Sequence, residues 1–139
     1  MNLICKIALT ITVLSFSLIS IAHEGDDHDA VSAIKAPKGG IMKSTEVSHF
    51  EVVAKGQNLK IYVYDLDLKP QNVETYKMTA AAQKPRSKTK QAVTLERKGT
   101  YFEASFDAKG LHRYTLILEV KAPNASHPDK IKFIIEPKK

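Results

Sequence analysis

From Gly40 onward the chain alternates apolar and polar residues with a period of two, and Gly, Pro, Asn and Asp break the alternation at short intervals. That combination marks an antiparallel β domain. A short first strand is predicted over 40–44. A second is predicted over 48–55, with Phe50, Val52 and Ala54 on one face and His49, Glu51 and Val53 on the other. Gly56-Gln57-Asn58 turns the chain into a third strand over 59–65, so these two form a hairpin. A polar connection holding Pro70 leads to a fourth strand over 74–83, and a fifth follows over 91–97 with Ala92, Val93 and Leu95. The turns Lys98-Gly99-Thr100 and Asp107-Ala108-Lys109-Gly110 bracket a sixth over 101–106. The seventh, over 111–120, is the best patterned: His112, Tyr114, Leu116, Leu118 and Val120 share one face against Arg113, Thr115 and Glu119. A last strand over 130–136 points Ile131, Phe133 and Ile135 inward. Seven to eight antiparallel strands in about 100 residues predict an all-β domain, an immunoglobulin-like β-sandwich, over 37–139. Tyr114 stands where such folds place a tyrosine corner, a structural role.

The pattern is different before Pro37. Met1 to Lys6 carry one cation and no acid, and Ile7 to Ala22 run apolar or small without a charge. This reads as a signal peptide over 1–22, with an uncleaved anchor as the alternative; its apolar run, 7–22, is shorter than the roughly 20 residues of a membrane-spanning helix. Ser20 and Ala22 meet the small-residue rule of signal peptidase, which places the cut between Ala22 and His23 and the mature protein in the periplasm or outside the cell. Residues 23–36 are polar, acidic and small, and read as a flexible tail. Pro37-Lys38-Gly39-Gly40 punctuates the start of the domain. Cys5, the only cysteine, leaves with the signal, so the mature chain has no disulfide.

Charge is unevenly spread. The net charge is +6, yet residues 23–34 hold four acids and no base, and the domain behind them is strongly basic. Lys84, Arg86, Lys88 and Lys90 put four cations in seven residues at a hairpin tip. A solvated tip is the plain reading, and contact with an anionic membrane or envelope polymer is the functional one. Aromatics do not interleave with these cations, which argues against nucleic acid.

Catalysis has little to stand on. The mature chain has no cysteine nucleophile and no Gly-x-Ser-x-Gly elbow, and Asp65 and Asp67 sit in a corner where acids shape turns. The histidines carry more chemistry. A mature chain starting at His23 presents a free amine and an imidazole that chelate one metal together, and His28, Asp26 and Asp27 add a nitrogen and negative charge. Such donors suit copper(II) or zinc. His49 and His127 are further candidate ligands, although each taken alone reads more readily as an ordinary strand or loop residue, and His112 reads as a rim residue of the core.

Three short segments, Pro37-Lys38-Gly39-Gly40, Ser48-His49-Phe50-Glu51 and Tyr64-Asp65-Leu66-Asp67-Leu68-Lys69-Pro70, resemble small periplasmic domains found free or beside heavy-metal efflux adaptors of the CusB/CzcB kind. The resemblance implies a β-sandwich and a link to periplasmic copper or zinc, with a metal-efflux or envelope protein as partner. Lys38 stands where those domains carry histidine, and a protonated lysine is a poor ligand, which moves the expected site to the tail. A fainter likeness, to copper-carrying β-domains of the CopC type, rests on His23 and on His127-Pro128. Two functions remain open: a metal-binding accessory or buffer, and an immunoglobulin-like module that binds a protein or envelope polymer without metal.

Overall fold

The computed structural model describes residues 34–137, so the predicted signal peptide and all but the last three residues of the predicted tail lie outside the described residues. The described chain is all-β: β1 (Ile41–Ser44), β2 (His49–Lys55), β3 (Asn58–Tyr64), β4 (Lys77–Gln83), β5 (Lys90–Val93), β6 (Leu95–Arg97), β7 (Tyr101–Ser105), β8 (Tyr114–Lys121) and β9 (Asp129–Ile135), with one 3₁₀ turn at Val73–Thr75. The strands form two antiparallel sheets, ordered β1-β2-β3-β7-β6 and β5-β4-β8-β9. Among the described residues no helix is long and apolar enough to cross a membrane.

Alternation builds the core as the sequence implies. Phe50 and Val52 of β2, Leu59, Ile61 and Val63 of β3 and Phe102 of β7 face Leu116, Leu118, Val120, Ile131, Phe133 and Ile135 of the other sheet, and all belong to one buried cluster. The β2–β3 hairpin pairs Lys55 with Asn58 across Gly56-Gln57, and Gly56 takes φ 59, a conformation that glycine reaches without steric cost. Leu116 is wholly buried, whereas Thr115 is half-buried on the opposite face.

The structure departs from the sequence reading at three places. The predicted fifth strand is two strands: Ala80 to Gln83 of β4 pair with β5, but Leu95 to Arg97 pair with β7 in the other sheet. The chain changes sheets at Thr94. Alternation conceals this, because Val93 and Leu95 both turn toward the shared interior on either side of the crossing. The fourth strand starts later than predicted, because the Asn72 side chain accepts from the Glu74 amide and Val73 is pinned by Gly99, which closes a helical turn instead. The strand over 111–120 begins only at Tyr114, and His112 lies exposed in the connection before it rather than on the rim of the core.

Candidate functional site

The outer face of β2 is not the solvent face that alternation suggests. Glu51 is 0 % exposed and His49 5 %. The segment before β1 covers Glu51: its carboxylate accepts the Lys38 amide on both oxygens at 2.9 and 3.1 Å, the Gly40 amide at 2.7 Å and the Tyr64 hydroxyl at 2.9 Å. Gly40 passes so close to β2 that any Cβ there would lie 2.4 Å from the Val52 carbonyl oxygen. Burial, then the bond to Glu51, raises the Tyr64 hydroxyl above its ordinary range. Next to it Asp65 accepts from the Asp67 and Lys69 amides, and Tyr64 bridges to Pro70. The three segments singled out in the sequence therefore meet in one place. Every hydrogen bond to Glu51 comes from these segments, so the cluster fastens the start of the domain to the sheet and leaves Glu51 no free lone pair for a ligand. Asp65 shapes a turn, as its position implied.

His49 lies within 2.6 Å of the Ser44 hydroxyl through Nδ1. His127 is exposed in the connection between β8 and β9. His23, His28, Asp26 and Asp27 lie outside the described residues. Among the described residues no three of His, Cys, Asp and Glu come together at metal-binding distance.

Three cations, Lys84, Arg86 and Arg113, do come together on one groove. The connection from β4 to β5 opens with a turn, Lys84-Pro85-Arg86-Ser87, closed by the Ser87 amide on the Lys84 carbonyl at 3.2 Å. Proline in second place and φ 59 at Arg86 make this a type II turn, whose third position favours glycine or asparagine. The turn is braced from both sides: Gln83 Nε2 donates to the Ser87 carbonyl at 2.6 Å, and the Thr89 amide to the Ser87 hydroxyl at 3.1 Å. Lys84 and Arg86 line a groove of about 930 Å³, and the facing wall is the connection into β8, with Leu111, His112 and Arg113, and Glu136 at the end of β9. Lys88 and Lys90, the other two cations of the tip, do not line it.

Sequence reasoning found half of this groove. It missed Arg113 and His112 because they join Lys84 and Arg86 only through the tertiary approach of two connections. Arg113 was read as an outward residue of a strand that in fact starts at Tyr114, just after it. Comparison with family models, with curated proteins and with solved structures returned no match.

Proposed function

We propose that the chain is an exported, non-catalytic, immunoglobulin-like module that docks on an anionic partner in the cell envelope through its basic end. The convergence of Lys84, Arg86, His112 and Arg113 on one groove carries this reading. Such a groove focuses positive potential on one concave site, and potentials of this kind concentrate and orient anionic partners. The fold name rests on strand order. With β1 set aside, β2-β3-β7-β6 over β5-β4-β8-β9 corresponds to strands A-B-E-D over C′-C-F-G of an immunoglobulin-like sandwich, with binding connections at its ends. Export rests on the uncharged apolar run before Ala22.

The test is retention of the mature protein on an immobilised polyanion. Replacing Lys84, Arg86 and Arg113 together by glutamine abolishes retention at moderate salt, whereas replacing Lys55 and Lys132, cations elsewhere on the domain, leaves it nearly intact. Equal losses from both sets would reduce the effect to net charge and remove the site.

A second reading is supported by the tail. His23, as a free N-terminus, and His28 bind copper or zinc with Asp26 and Asp27 holding charge, which makes the protein an accessory to metal efflux or tolerance. His49, whose Nδ1 meets the Ser44 hydroxyl, and His127, on an exposed connection, are the further candidate ligands within the domain. One alanine added before His23 turns the amine into an amide and removes that chelate. Calorimetric titration of the native and extended proteins then separates them, and equal affinity in the two contradicts an amine-based site.

A further inference from the structure

We infer that the ligand of the basic groove is a chain-like molecule carrying phosphate groups, gripped by the guanidinium groups of Arg86 and Arg113. The inference rests on the proposed anion-binding role and names its ligand class. Three observations carry it. The chain has 18 lysines and three arginines, yet the groove is lined by one lysine and two of those arginines. The third, Arg97, is occupied by the Tyr76 carbonyl and Glu74. A surface selected only for positive charge would draw on the abundant lysine. The guanidinium instead offers a planar fork of donors matched to paired oxygens. Two forks reaching from two different connections suit a tetrahedral phosphate, whose oxygens point in several directions. A planar carboxylate is satisfied by one.

Arg86 is also, with Leu68, one of two non-glycine residues among those described that hold a left-handed backbone. It holds φ 59 at the turn position that glycine fills at no cost, and left-handed non-glycine residues concentrate at ligand clamps. Gln83, Ser87 and Thr89 brace the turn around it, so the guanidinium projects from a fixed base. The third observation is where apolar side chains are exposed. Ile41, Val47, Leu66 and Ile134 are the exposed large hydrophobics among the described residues, and none lines the groove. A membrane-docking face presents apolar side chains beside its cations. The groove's apolar lining is Pro85 and the half-buried Leu111, with no large exposed hydrophobic beside its cations, and an open groove of about 930 Å³ of that kind fits a polymer segment lying in it. Glu136 is the one acid in its lining, so Lys84, Arg86 and Arg113 alone leave the wall with net positive charge.

The experiment titrates the mature exported protein with soluble long-chain polyphosphate, with poly-glutamate of matched charge, and with vesicles containing phosphatidylglycerol. Polyphosphate binds at least about ten-fold more tightly than poly-glutamate, and Arg86→Lys and Arg113→Lys each weaken it by about ten-fold or more although no charge is lost. Arg86→Gly also loses affinity while its melting temperature rises, which separates lost binding from lost folding. Equal affinity for the two polymers, or lysine variants that bind like the wild type, overturns the phosphate assignment and leaves the anionic reading in place. Binding to neither polymer overturns both. Binding to the vesicles but not to polyphosphate moves the phosphate to a lipid headgroup and overturns the polymer.

Discussion

Glu51 shows what a single residue does in this domain. Its carboxylate ties two amides of the segment before β1, and the Tyr64 hydroxyl, into a site with no solvent. Hydrogen bonds to a charged group are worth about 1.5 to 3 kcal/mol each, and a buried acceptor turned into a donor leaves its partner unsatisfied. Glu51→Gln is expected to destabilise the domain by about 2 to 4 kcal/mol, and Tyr64→Phe by roughly 1.5 kcal/mol or more, in denaturant melts. The double variant costs less than the sum, because both remove the same bond. Full additivity would mean that the two groups do not interact. The tyrosines also set an alkaline limit. Burial pushes the Tyr114 hydroxyl up to about 12, against a value near 10 in the unfolded chain. Between those values the unfolded state holds fewer protons than the folded one. Stability that is complete below about pH 10 is therefore lost as pH rises, by about 2 to 3 kcal/mol from Tyr114 alone by pH 12. Tyr114→Phe flattens that loss in melts taken from about pH 9 to 12.

At the scale of elements, what the sequence revealed depended on whether the deciding contacts were local. The β2–β3 hairpin, β8 and β9 were legible because alternation and a two-residue glycine turn fix them within a few residues. The change of sheet at Thr94 was not, since inward residues continue through it unbroken. The burial of Glu51 was equally hidden, because it depends on a segment 11 to 13 residues away folding over the outer face of β2. The basic groove divides the same way: its tip is written in four adjacent cations, and its other wall is set by tertiary approach. A register test belongs here. Leu116 pairs with Ala82 and Phe133 at the centre of its sheet, so Leu116→Ala costs about 2 to 5 kcal/mol, and Thr115→Ala far less. Equal costs would mean that the pairing of β8 is wrong by one residue.

At the scale of the whole molecule, an acidic N-terminal stretch precedes a basic domain, three of whose cations, Lys84, Arg86 and Arg113, line one groove. Intact mass of the exported protein is expected to give a chain beginning at His23. A start at Val31 or later would remove the donors on which the metal reading depends and leave the groove untouched. The central claim is that Lys84, Arg86 and Arg113 act together as one anion site. The most direct measurement is the affinity of the mature protein for polyphosphate at rising salt, compared with the variant in which those three residues are glutamine. The wild type binds with an affinity that falls steeply as salt rises, since each neutralised phosphate releases counterions, and the triple variant shows little binding and little salt dependence. A triple variant that binds as tightly as the wild type, with the same dependence on salt, would contradict the account.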